Sequence, residues 1–515
     1  MKKVSILNHV IGPIMRGPSS SHTAGPWRIG MIARDLLGSV PVKARFTMHP
    51  SSSLSVCYHD QGSDLALVSG LLGIPLTDPR FSEMLELAPG MGLKAIFEIA
   101  SFPEADHPNS ILVELEGEEG EKLALHARSV GGGSIEIASV DGCPLAIKGD
   151  RHVLLVEPDL QETPAGVVES LKKWDPEICE KPADSGYFLC STSCESPPPE
   201  LLAKIRATEG ITRVRHSRPV MFPLKGLGIF PDTPSMLSLA GEHGWSLGET
   251  AMAYEKDILG FPSDELFSEM DLRLEVMLKS VETGFGLQAG MKLLKPSASS
   301  LMKAESTGSL LIGGPHFRAA ARAMAAMHTN GAGGVVCAAP TGGSAGVIPG
   351  VLSTLMDDFS LTREGTVKAL WAAGAIGLAL DRRSTFAAEV CGCQVEIGAA
   401  GAMGAAAVVE AAGGTALQAC DAASTVFQNI MGSVCDLVQG IVEIPCHSRN
   451  AALASMAFLC ADMVMGGYQN PVPLDETIDA VDKVGRMLPE ELRCTARGGL
   501  SLCPSALAMP RLDRR

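Results

Sequence analysis

The sequence predicts a multidomain protein: an N-terminal α/β domain over residues 1–149, a βαββαβ domain over 150–222, a linker over 223–234 and an all-α domain over 235–515. Three observations predict it. The 515 residues are 46% hydrophobic and only 19% charged, which fills a large core and exceeds what one domain holds. After Asp150 strand-like and helix-like runs follow one another at short intervals. Beyond a segment with three prolines, Pro223, Pro231 and Pro234, the apolar spacing is helical.

Taken in order, residues 43–48 and 111–115 are β-like runs and residues 63–72 form a short helix, the mixture of an α/β domain. From Asp150 the pattern is strand 152–156, helix 163–174, strands 177–181 and 186–193, helix 198–208 and strand 212–219. That is the split βαββαβ order. It resembles the ACT-type amino-acid-binding module, which implies edge-to-edge pairing in a homodimer and a small effector. A purely structural α+β insert has the same order. In the last domain Leu274, Met277, Leu278 and Val281 share one helix face, while 366–381 and 398–412 are apolar nearly all round, as helices inside a bundle are. Aromatics are only 4% and glycine is 55 of 515, so part of the core is built from small residues in close approach.

Lysine and arginine total 42 against 58 aspartate and glutamate, a net charge of −16 and a pI near 5.3. Such a chain lacks the basic patches that hold nucleic acid or anionic membrane, so a small-molecule ligand is expected. Asn8, His9 and Pro13 break the opening run, and Glu410 interrupts the apolar stretch 397–417. Neither a leader peptide nor a membrane span is expected, and the location read from this is cytoplasmic. In a reducing cytosol fourteen cysteines are not a disulfide framework. Cys57, Cys190, Cys337, Cys420 and Cys460 sit among Val, Leu and Ala as core thiols do.

The densest chemistry near the start is Gly17-Pro18-Ser19-Ser20-Ser21-His22-Thr23-Ala24-Gly25-Pro26. Prolines fix its edges, and hydroxyls with following backbone amides bind a carboxylate or phosphate where a helix begins. A serine-rich turn capping a helix is the other reading. Asn330-Gly331-Ala332-Gly333-Gly334 and Ala339-Pro340-Thr341-Gly342-Gly343 are glycine-rich turns that either present amides to an anion or serve packing alone. Cys393, Cys435 and Cys446 lie 42 and 11 residues apart, which is no ferredoxin spacing; from spacing alone a metal site and ordinary buried thiols both remain open.

The decapeptide closely resembles the opening motif of the iron–sulfur-dependent L-serine dehydratase (L-serine ammonia-lyase) family, and the likeness runs along nearly the whole chain. Ser129-Val130-Gly131-Gly132-Gly133 is similar to the glycine loop of that family's β part. The segments around Asn330 and Thr341 and the three cysteine segments are similar to its α part, as in a fusion of the two-subunit enzyme.

The resemblance implies a [4Fe–4S] cluster on Cys393, Cys435 and Cys446 with one iron open as a Lewis acid, and Cys503 as a possible fourth ligand with Cys494 the lesser alternative. It implies elimination of water from L-serine, with aminoacrylate passing on to pyruvate and ammonia. His22 is the expected base and Asp64 a second catalytic candidate. Ser19, Ser20, Ser21 and Thr23 are expected to hold the substrate carboxylate with Asn330 and Thr341, and His447 to touch a cluster sulfur or stand at the surface.

Several positions depart from the family pattern. Gln61 stands where the family's Gly-His-Gly-Thr-Asp segment has histidine, an amide that cannot act as a base; neighbouring His59 is its possible substitute. The family's Cys-Asp-Pro-Val-Ala-Gly reads Cys435-Asp436-Leu437-Val438-Gln439-Gly440. These leave open the same dehydration on another small β-hydroxy acid or amino acid, and a non-catalytic amino-acid sensor. No Schiff-base lysine segment accompanies the glycine loop, which disfavours pyridoxal phosphate.

Overall fold

Alternating buried positions in residues 41–48, 110–117 and 122–131 make ladders with one face in a core. In the computed structural model, which describes residues 2–159, 164–175, 178–183 and 186–512, these ladders lie in the second of two compact units. One unit comprises Met1–Ser21, Gly131–Gly133 and Gly226–Arg515; the other His22–Val130 and Ser134–Lys225.

The second unit holds two sheets. Six strands run in the order Lys94–Ile99, Pro41–Met48, Ser110–Gly117, Lys122–Gly131, Ser134–Val140 and Cys143–Ile147. Lys94–Ile99 pairs parallel to Pro41–Met48, which pairs antiparallel to Ser110–Gly117. Ile29, Ile32 and Leu36 of the helix Ala24–Leu37 and Leu67 and Leu71 of Ser63–Leu72 join Phe46, Val113, Leu125 and Ile137 in its core. The two helices meet at glycines: a Cβ on Gly70 would lie 2.3 Å from Trp27 O, and one on Gly30 2.6 Å from Leu67 O. This is the small-residue contact that the composition calls for.

The other sheet has the order Ile211–Ser217, His152–Pro158, Gly186–Ser193, Cys179–Ala183, antiparallel throughout. With helices Ala165–Trp174 and Pro199–Arg206 its elements follow as β-α-β-β-α-β around Leu154, Val156, Val167, Leu171, Leu189 and Ile205. The expected helix start at Thr163 and strand start at Glu177 lie outside the described residues.

The first unit is helical. Ile397–Ala411 is buried over nearly its whole length and packs against Arg363–Arg383, Ala416–Ile430 and Cys446–Met465. In Ser263–Gly286 the residues Leu274, Met277 and Val281 are buried on one face, as their spacing requires. The region is not purely helical as expected. Val335–Cys337 is a short strand, paired antiparallel with Ile14–Arg16. Upstream, Ser5 Oγ and the amides of Ile6 and Leu7 donate to the buried carboxylate of Glu255 at 2.5, 2.8 and 3.0 Å. Carboxylate and strand together seat the first 21 residues in this unit and carry Gly17–Ser21 to the turns at 330 and 342. Among the described residues no helix is long and apolar enough to cross a membrane.

Candidate metal centre and substrate loop

Four cysteines from separated segments converge in the helical unit. Cys393 follows Gly392, whose φ of +75° suits a residue without Cβ, and opens the single turn Cys393–Val395. Cys435 stands in the loop after Ala416–Ile430. Its backbone is held on both sides, its N–H donating to Leu492 O at 2.9 Å and its carbonyl accepting from Cys494 N at 2.8 Å. Cys446 is the first residue of Cys446–Met465, where the helix N-terminus favours a negative sulfur.

Cys393, Cys435 and Cys446 are all buried free thiols. The thiols of Cys393 and Cys494 lie within side-chain hydrogen-bond reach of Cys435 and, with burial, push its pKa well up; burial foremost raises Cys446, with Cys393 and Glu396 adding to it. One ligand atom each from Cys393, Glu396 and Cys435 lie within 4.8 Å of one another, a group able to hold a metal ion. Cys503, by contrast, is exposed at the start of the short helix Pro504–Leu507.

Among the described residues the guanidinium of Arg449 faces these sulfurs. Arg449 Nη1 lies 3.6 Å from Cys393 Sγ and donates to Val434 O at 2.8 Å, while Nη2 pairs with Asp436 Oδ1 at 3.0 Å. Asp436 Oδ2 in turn accepts from Leu500 N at 2.9 Å. His447 is not at the surface: it is buried, its Nδ1 3.2 Å from that of His328. Burial lowers the two pKa values to about 3 and about 4, so both rings are neutral near pH 7.

The serine loop meets the glycine turns in the same unit. Ser19, Ser20 and Ser21 are buried. Ser20 Oγ accepts from Gly342 N at 3.3 Å, and Asn330 Nδ2 donates to Pro18 O at 2.9 Å. Asn330 Oδ1 is buried and has no hydrogen-bond partner among the described residues. Thr341 caps the turn Gly342–Ser344, and its Oγ1 donates to Glu396 Oε1 at 2.6 Å. Burial pushes the Glu396 carboxyl up to about 7.

The remaining candidates belong to the other unit, the division falling between Ser21 and His22. His22 is buried with Nε2 3.3 Å from Ser53 Oγ, and Thr23 precedes the helix Ala24–Leu37. Asp64 is buried, its Oδ2 2.5 Å from Nδ1 of half-exposed His59. Gln61 is buried with Nε2 donating to Cys57 Sγ at 3.1 Å.

Residues 224–501 match the family described as serine dehydratase alpha chain, more than half of the sequence. The chain belongs to that family. It is 36% identical over 278 residues to the probable L-serine dehydratase alpha chain of Bacillus subtilis, covering 54% of this chain and 93% of that one. It is 31% identical over 268 residues to the L-serine dehydratase alpha chain of Peptoniphilus asaccharolyticus, 52% and 92% of the two chains. The probable L-serine dehydratase beta chain of Bacillus subtilis is 37% identical over 175 residues, 34% of this chain and 77% of the relative. One polypeptide thus carries stretches similar to both chains of the two-chain dehydratases.

Two residues of this serine dehydratase chain escaped sequence reasoning. Glu396 had a signal, a lone charge three residues after a candidate ligand at the mouth of an apolar run. Arg449 lies three residues after Cys446, one helical turn away. The thiol of Cys494 lies beside Cys435, whereas Cys503, the first-ranked possible fourth ligand in sequence, is exposed.

The loop depends on a missing side chain. A Cβ on Gly17 would lie 2.0 Å from Asn330 O and 2.4 Å from Asn330 Oδ1. Gly17→Ala is therefore expected to cost about 1–3 kcal/mol. In thermal melts its Tm falls, while that of Gly90→Ala, where a Cβ meets nothing within 4 Å, stays near the parent value.

Proposed function

We propose that this chain eliminates water from L-serine, giving pyruvate and ammonia, with a [4Fe–4S] cluster held by Cys393, Cys435 and Cys446. The convergence of buried thiols from segments 42 and 11 residues apart carries this reading, and the names of the relatives support its substrate. The donor chemistry fits: clustered thiols are soft ligands that suit iron–sulfur centres, where hard cations take oxygens. Buried thiols that crowd one another hold their protons until a metal binds the sulfurs and displaces those protons to solvent.

An iron with an open position supplies Lewis acidity that weakens the substrate C–O bond. The protein does the rest. The amides and hydroxyls of Ser19, Ser20, Ser21 and Thr23 hold the carboxylate, with Thr341 fixing the adjoining turn. Asn330 Oδ1, without a partner among the described residues, accepts from the substrate ammonium. His22, oriented by Ser53, takes the Cα proton, since imidazole titrates near neutral pH, and Asp64 is the second acid–base candidate. Aminoacrylate then needs no further catalysis.

The test is pyruvate or other oxo-acid formation by anaerobic protein from L-serine, D-serine, L-threonine and a β-hydroxy acid lacking the amine. L-Serine is expected to give the highest kcat/KM. A higher value for any other compound would replace the substrate.

A further inference from the structure

Among the described residues Glu396 lies beside the buried thiols without a compensating cation. It has no Lys, Arg or His partner among the described residues, and the charged residue that bears on it is another carboxylate, Glu389. A carboxylate so placed beside buried thiols needs a cation to balance it.

We propose that Glu396 is an oxygen ligand of the metal centre, taking the iron that Cys393, Cys435 and Cys446 leave open when substrate is absent. The inference rests on the cluster reading above. Its geometry is on three sides. One Glu396 oxygen, Cys393 Sγ and Cys435 Sγ lie within 4.8 Å of one another. The turn Cys393–Val395 ties the two donors together, Glu396 N donating to Cys393 O at 3.1 Å. Thr341 Oγ1 holds Oε1 at 2.6 Å, the outer hydrogen bond that ligating carboxylates ordinarily carry, and Oε2 has no hydrogen bond among the described residues. Gly343 makes room: a Cβ there would lie 2.7 Å from Oε1 and 3.2 Å from Oε2.

Cys494, whose thiol lies beside Cys435, is the rival donor. A mixed thiolate–carboxylate set differs from an all-thiolate one in its iron spectrum, which separates the two. The full chain and its Glu396→Gln, Glu396→Asp and Cys494→Ser variants are reconstituted anaerobically with ⁵⁷Fe and sulfide, then measured without substrate by Mössbauer spectroscopy and iron analysis.

In Glu396→Gln the signal of one iron subsite is expected to shift and iron retention to fall below that of the parent. Glu396→Asp, which keeps the oxygen, retains the distinct subsite, and Cys494→Ser leaves the spectrum unchanged. Should Glu396→Gln fail to fold, a Cys494→Ser spectrum that keeps the distinct subsite supports the assignment, and one in which it is lost would overturn it. So would a Glu396→Gln spectrum superimposable on that of the parent. A parent chain that takes up no iron would overturn the cluster reading and this ligand with it, whereas a loaded parent with an indifferent Glu396 overturns only the ligand.

Discussion

Cys435→Ala loses the cluster iron and reduces pyruvate formation to less than about a thousandth of the parent rate. The expectation follows from how the residue is held. Its backbone is bonded on both sides, to Leu492 and Cys494, so the loop keeps its path without the sulfur. Removing one buried Sγ costs stability of about 1 kcal/mol. The effect therefore falls on the metal, because the sulfur lies among the donor atoms of Cys393 and Glu396. Iron analysis and anaerobic turnover on the same preparation check it, with a circular dichroism spectrum as the fold control. Turnover retained at the parent level would remove Cys435 from the centre.

His22→Ala lowers kcat by about 10²–10⁴-fold, the usual contribution of a positioned general base, while iron content stays at the parent level. His22 is not one of the proposed cluster ligands, so iron content is the control that separates a base from a structural residue. It is buried, and Ser53 Oγ, 3.3 Å from its Nε2, is a hydroxyl able to orient the ring. The ratio of the two losses decides the role: kcat and iron falling in parallel would make His22 a structural residue.

Much of the fold was legible because period alone encodes it. Residues 43–48 and 111–115 lie within observed strands, and Ser63–Leu72 is a helix over the range its apolar residues span. The βαββαβ order was legible because short strands and helices alternate there with clear breaks. What periodicity could not show is long-range placement. Residues 1–21 follow the helical unit through Glu255 and the strand Val335–Cys337, each a pairing between residues hundreds of positions apart.

The site divides the same way. Cysteines and the serine–histidine loop are conspicuous as residue types. Glu396 and Arg449 are ordinary charges until Cys393 is beside them, and Cys494 lies beside Cys435 because the chain returns along it. His447 became a buried neutral partner of His328 for the same reason.

The central claim is that these buried sulfurs carry an iron–sulfur cluster. Iron and acid-labile sulfide, counted per chain in protein purified and kept under argon, test it most directly. The account expects about four of each. A colourless chain free of iron and sulfide that still forms pyruvate from L-serine would contradict it.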